Sequence, residues 1–223
     1  MQQPHTLTSK FTQRPILNYL LYLPPEYDAN DTSKRWPLIL FLHGFGERGD
    51  NVSDLNILNV TGLPQSLEQG KDIPFIVVSP QCPRYSWWTL HTGALKSLTE
   101  TIIADYPVDP SRVYLTGLSM GGYGSWTLGA SYPELFAAVA PICGGGVASE
   151  VAGLKDVPVW AFHGELDDVV PPHCSRDMVA ALQKAGGDVK LTLYPDLQHN
   201  SWTTTYDNPE LYDWFLSHQK PSS

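Results

Sequence analysis

Ser119 stands in Gly117-Leu118-Ser119-Met120-Gly121, a match to G-x-S-x-G. A serine hydroxyl is a weak nucleophile until a base takes its proton, and the base in turn needs a carboxylate to orient it. Downstream, the apolar run Val157–Phe162 leads into His163-Gly164-Glu165-Leu166-Asp167-Asp168. The run Val189–Tyr194 leads into Pro195-Asp196-Leu197-Gln198-His199. Serine, acid, then imidazole is the chain order expected where a strand-to-helix turn presents the nucleophile. The base is therefore His199, and the acid is Asp167, with its neighbour Asp168 and Glu165 as alternatives. His163 precedes the acid and is assigned to backbone hydrogen bonds within its loop. His173 is assigned to the first turn of a surface helix and His91 to the residue before one.

A tetrahedral oxyanion needs hydrogen-bond donors, commonly the largest single source of catalysis in acyl transfer. The backbone N–H of Met120, directly after the nucleophile, is one expected donor. The loop Phe41-Leu42-His43-Gly44-Phe45-Gly46-Glu47 follows an early strand, and its two glycines let the backbone turn toward the serine. The N–H of Phe45 is the second expected donor. Trp87, Trp88 and Trp202 fall on loops after predicted strands, where a tryptophan either packs locally or walls a pocket. Trp88 and Trp202 are taken as pocket walls. Gly144-Gly145-Gly146 lacks the spacing of a phosphate loop and is read as a rim of the cleft.

These residues need a frame. Strands are predicted over Asn18–Leu23, Pro37–Leu42, Phe75–Ser79, Arg112–Thr116, Phe136–Ile142, Val157–Phe162 and Val189–Tyr194. Most are continuous runs of Ile, Val, Leu, Phe and Ala, as in strands covered on both faces. Helices are predicted over Thr92–Asp105, Met120–Ser131, His173–Ala185 and Pro209–His218, bounded by proline or glycine. Alternating strands and helices imply an α/β fold with a mostly parallel sheet and helices on both faces. Ligands of such sheets bind beyond the carboxyl ends of the strands, where every candidate residue falls. The segment between Ile142 and Val157 is too short to hold a large lid domain. One domain over residues 1–223 is expected, with residues 1–16 peripheral.

Composition excludes several other classes. The 23 Asp and Glu outnumber the 14 Lys and Arg, giving a net charge of −9 that would repel a nucleic-acid backbone. No apolar stretch approaches the roughly 18 residues of a membrane span, and the N-terminus lacks a signal-peptide pattern. The three cysteines, Cys82, Cys143 and Cys174, show neither disulfide nor zinc spacing. A soluble, cytoplasmic protein without metal or cofactor is expected.

The stretches YLLYLPPEYD, LILFLHGFGERGDN, VDPSRVYLTGLSMGGYGSW, YPELFAAVAPICGG and HGELDDVVPP carry a resemblance. With the His199–Trp202 loop, they are similar to the α/β-hydrolase superfamily. The likeness is to its small phospholipase/carboxylesterase and dienelactone-hydrolase-like branch, which includes predicted peptidases and polyester depolymerases. It runs from about Leu17 to Phe215. The family pattern H-G-x-x-D-x-x-V-P aligns Asp167 with the triad acid and supports Ser119, His199, Phe45 and Met120 in the roles above. Dienelactone hydrolases themselves use cysteine at the turn, whereas this chain has Ser119. The resemblance implies a serine carboxylesterase acting on small, aryl or short-acyl esters. Its activity should fall as His199 takes up a proton on acidification. A serine peptidase, or a hydrolase fold that binds without catalysis, are the alternatives. An organophosphonate probe and a comparison of ester with amide turnover separate the three.

Overall fold

A computed structural model describes residues 2–31 and 33–221. Its eight strands are β1 (Gln3–Thr8), β2 (Pro15–Tyr22), β3 (Trp36–Leu42), β4 (Ile76–Pro80), β5 (Val108–Leu118), β6 (Ala138–Ile142), β7 (Val159–Gly164) and β8 (Val189–Tyr194). They form one sheet in the order β1-β2-β4-β3-β5-β6-β7-β8. β1 and β2 are antiparallel to their neighbours, and every pairing from β4 through β8 is parallel. The helices are α1 (Gly62–Glu68), α2 (Thr92–Asp105), α3 (Met120–Ser131), α4 (His173–Lys184), α5 (Trp202–Asp207) and α6 (Pro209–Leu216).

Every residue of β3 is buried, because alternate side chains point to opposite faces and both faces are covered. Leu38, Leu40 and Leu42 join Leu95, Leu98, Trp126 and Met178 in one core, under α2, α3 and α4. Ile39 and Phe41 join Leu63, Leu67, Tyr206, Leu211 and Phe215 in a second, under α1, α5 and α6. The result is an α/β-hydrolase fold in three layers. Among the described residues, no helix is long and apolar enough to cross a membrane.

All the predicted strands and helices are present, with ends shifted by a few residues. Besides short 3-10 segments, of which Val52–Val60 is the longest, a strand and two α-helices lay outside the sequence expectations. β1, drawn from residues 1–16, pairs with β2 at the sheet edge and buries only Leu7, so it carried little apolar signal. α1 opens at Gly62 and contains Pro64, both weak helix formers. α5 has only 6 residues, too few for a helical period to show.

The chain reverses direction across the sheet between β3 and β5. The connection after β3 turns toward β4, and the one after β5 turns toward β6. Their carboxyl ends are adjacent, with Leu42 opposite Gly117. A crevice opens at such a switch point, and the loops bordering it carry both Phe45 and Ser119.

Candidate active site

Ser119 lies between the last residue of β5 and the first of α3, with φ 53° and ψ −115°. A side chain other than glycine is costly there, by about 1–3 kcal/mol, so the tightly packed surroundings must impose the conformation. They do so through glycines. A Cβ at Gly117 would lie 2.5 Å from the carbonyl oxygen of Gly121 and 2.7 Å from that of Leu42. A Cβ at Gly121 would overlap the Leu42 carbonyl. The N–H of Ser119 donates to Ile142 O at 3.0 Å, pinning the turn to β6. Ser119 is thereby raised above the sheet at the N-terminus of α3, where the helix dipole favours negative charge.

His199 reaches the serine from the loop after β8. The Ser119 hydroxyl donates to His199 Nε2 at 3.0 Å, and His199 Nδ1 donates to Asp167 Oδ2 at 2.7 Å. Asp167 lies on the loop after β7 with its side chain fully buried. Its Oδ1 accepts from the backbone N–H of Val169 and of Val170, both at 2.9 Å. The loops carrying acid and base are bonded to each other. Glu165 N donates to Tyr194 O at 2.9 Å, and Leu166 N to Leu197 O at 3.0 Å. Asp168 is exposed. Glu165 is also exposed and pairs with Arg176 at 2.6 Å. Asp167 is therefore the acidic side chain that meets His199.

The loop after β3 sits against the turn. A Cβ at Gly44 would lie 2.9 Å from Cδ1 of Leu118, the residue before Ser119. Met120 opens α3 and Phe45 opens a single 3-10 turn, Phe45–Glu47, so their N–H groups have no partner within those elements. The loop rests on His43, which is buried and bonded at both ring nitrogens. Nδ1 donates to Gly44 O at 2.6 Å, and Nε2 accepts from Cys82 N at 2.9 Å. Burial drives the pKa of His43 down to about 3, keeping it neutral, as this tautomer requires.

The structure corrects the expectation for Trp88. It is fully buried, its Nε1 donates to His43 O at 3.0 Å, and its ring stands edge-on to His43. A buried indole N–H needs an acceptor, and this one braces the loop rather than facing a ligand. Its neighbour Trp87 is half exposed, with its ring 5.5 Å from that of Phe45, and the Arg48 guanidinium lies over the Phe45 ring at 3.4 Å. Trp202 is part-buried, perpendicular to His199 with ring centroids 5.3 Å apart.

His163 holds more than the backbone bond expected of it. Its Nε2 lies 2.8 Å from Val170 O and 3.1 Å from Asp167 Oδ2, and its Nδ1 lies 2.7 Å from Ser175 Oγ. Chain order hid this, because order along the sequence says nothing about which groups approach a carboxylate from behind. The donor atoms of Cys143, Asp167 and His199 fall within 4.8 Å of one another, the one such cluster among the described residues. Burial pushes the Cys143 thiol well above its ordinary pKa. Within this cluster His199 Nδ1 is bonded to Asp167.

Comparison with known proteins gives the chain a family. The dienelactone hydrolase family profile matches residues 90–212. A probable feruloyl esterase C of Aspergillus terreus is 30% identical over 174 residues, covering 76% of this chain and 62% of that protein. A poly(3-hydroxyalkanoate) depolymerase C of Paucimonas lemoignei is 44% identical over 52 residues, 23% of this chain and 13% of that protein. The crystal structure of a thermostable esterase superposes with a TM-score of 0.79 at 34% identity, over 98% of this chain and 63% of that one. The chain thus spans less than two thirds of the length of these relatives. It belongs to the dienelactone hydrolase family and has the α/β-hydrolase fold.

Proposed function

We propose that this protein is a serine carboxylesterase in which Ser119 is the nucleophile, His199 the general base and Asp167 the orienting acid. The observation that carries the reading is the unbroken chain Ser119–His199–Asp167, with bonds of 3.0 and 2.7 Å. His199 Nε2 takes the serine proton as Oγ attacks the ester carbonyl, and the Asp167 carboxylate stabilises the imidazolium that forms. The N–H groups of Met120 and Phe45 receive the oxyanion. His199 then returns its proton to the leaving alkoxide. A water molecule, deprotonated by the same imidazole, frees the acid from the acyl-enzyme.

The substrate class follows from the rim. The ring of Trp202 stands perpendicular to that of His199, and on the loops after β3 and β4 the rings of Phe45 and Trp87 face each other, 5.5 Å apart. Such a rim suits small aryl or short-acyl esters. Esterase names among the relatives support this preference, and feruloyl esters, named in one of them, are aryl esters.

A panel of chromogenic esters with rising acyl length, run with an organophosphonate serine probe, tests both parts. Turnover of aryl and short-acyl esters, with probe labelling lost in Ser119→Ala, is expected. Turnover retained by Ser119→Ala would remove the triad. Hydrolysis confined to long-chain lipid esters would remove the substrate class.

A further inference from the structure

We propose that His163 and Ser175 are positioning residues that keep Asp167 ionised by fixing the tautomer of the His163 ring. The proposal rests on the reading of Asp167 as the orienting acid.

His163 is fully buried at the end of β7, four residues before Asp167, and its ring reaches the same carboxylate oxygen, Oδ2, as His199 does. Its Nε2 faces two oxygens, Val170 O at 2.8 Å and Asp167 Oδ2 at 3.1 Å. A carbonyl and a carboxylate can only accept, so Nε2 must carry a hydrogen. Burial holds the ring below its ordinary pKa and therefore neutral. A neutral imidazole with hydrogen on Nε2 has a lone pair on Nδ1, and Ser175 Oγ lies 2.7 Å from it. Ser175 must then donate. Its hydroxyl has a second acceptor within reach, Gly144 O at 2.9 Å, which it can bond only by leaving Nδ1. Ser175 is itself buried, so no solvent replaces it.

The consequence is a single directed chain. Ser175 donates to His163, the one Nε2 hydrogen of His163 is shared between Val170 O and Asp167 Oδ2, His199 donates to the same Asp167 oxygen, and Ser119 donates to His199. Asp167 Oδ2 thus accepts from two imidazoles while Oδ1 accepts from two backbone amides. A buried carboxylate without a cation beside it stays charged only through such donors. His199 keeps its Nδ1 hydrogen on Asp167 throughout turnover, since only its Nε2 gains and loses a proton. His163 is a second imidazole donor, one that takes no part in that proton transfer. The titratable groups facing it are Asp167, on its own loop, and His199, from the loop after β8.

If the His163 ring took the other tautomer, a lone pair would face the Asp167 carboxylate at 3.1 Å. Asp167 would then take up a proton and bond Nε2 as a carboxylic acid. A neutral acid no longer stabilises the His199 imidazolium, and that raises the barrier to acyl transfer.

Two measurements test this. Ester hydrolysis is followed across pH for the wild type, Ser175→Ala, His163→Leu and His163→Gln, with thermal unfolding recorded for each. In His163→Leu, kcat is expected to fall tenfold or more, short of the about 10⁴-fold loss from neutralising a triad acid outright. KM should stay within about twofold, and the acid limb of the pH profile should move to lower pH. Ser175→Ala should move both in the same direction by less. His163→Gln places an amide N–H where Nε2 stood and should recover most of the lost kcat and return the limb. Folded variants with wild-type kcat, or with a limb that stays put or moves up, overturn the proposal. The second measurement needs no variant: nitrogen NMR of imidazole-labelled wild-type protein should show His163 neutral, with its proton on Nε2. A ring protonated on Nδ1, alone or together with Nε2, at neutral pH overturns it. Ser119→Ala, assayed alongside, reports separately on the triad.

Discussion

Gly121 and Leu42, from different segments of the chain, approach so closely that one added methyl on Gly121 would overlap the carbonyl oxygen of Leu42. That contact locks the first turn of α3 onto the end of β3, and through it sets the distance between Ser119 and the Phe45 loop. Gly121→Ala is expected to cost about 3 kcal/mol or more, since the colliding atom is backbone and cannot rotate away. Gly46→Ala, whose new methyl would meet nothing within 4 Å, is the control and should leave both Tm and turnover near wild type. Equal unfolding temperatures for the two variants would contradict this packing.

Ser119 is held at φ 53° for the sake of its hydroxyl rather than of stability. Ser119→Gly removes the steric cost of that conformation and should raise stability by about 1 kcal/mol while abolishing turnover. Chemical denaturation of the purified variant measures the gain. A variant less stable than the wild type would show that the backbone there is relaxed.

Relatives of this family that use cysteine at the turn raise the question of thiol chemistry. The buried Cys82 has its pKa raised to about 12 by desolvation, and burial raises Cys143 further still. Neither supplies a thiolate at neutral pH. In a Cys174→Ser background, iodoacetamide at pH 7 should leave esterase activity intact, while the organophosphonate probe removes it. Loss of activity to the alkylating agent would place a thiol in the reaction.

His43 makes stability depend on pH. Its pKa is about 3 in the folded protein against an ordinary 6.5, so between those values the unfolded chain binds a proton that the folded one refuses. Stability therefore falls on acidification through that window, by about 1.4 kcal/mol per pH unit for this group, and is retained in full above it. The slope between pH 6 and pH 4 should drop by one proton in His43→Gln. An unchanged slope would mean that the imidazole protonates without unfolding the loop beneath Phe45.

Two neighbouring tryptophans should respond differently to substitution. Trp88→Phe leaves the buried His43 carbonyl without its donor and should destabilise the protein by about 1–3 kcal/mol. Trp87→Ala, at the exposed rim beside Phe45, should leave Tm unchanged and raise KM for aryl esters. A Trp87 variant with unaltered kinetics on every aryl ester would remove that face from the substrate site.

The α/β layering was legible because it is written in local patterns. Continuous apolar runs mark strands buried on both faces, proline and glycine mark where they stop, and a Gly-x-Ser-x-Gly between strand and helix marks a tight turn. Ser119 and His199 could be named from residue type, chain order and position beyond a strand end. Between Asp167 and Asp168 local pattern offers no choice, since both are carboxylates on one loop. In the folded chain Asp167 is buried against His199, whereas Asp168 is exposed. Trp88 misled for the same reason, because a tryptophan on a loop reads alike whether it faces solvent or inserts beneath it. His163 and Ser175 were invisible as partners of the acid, for their tie to Asp167 depends on β6, β7 and α4 meeting in space. Composition and periodicity are properties of neighbours along the chain, and they determine which elements form. Which donor faces which acceptor is a property of neighbours across it, fixed only once the sheet has brought the loops of separate strands to one edge.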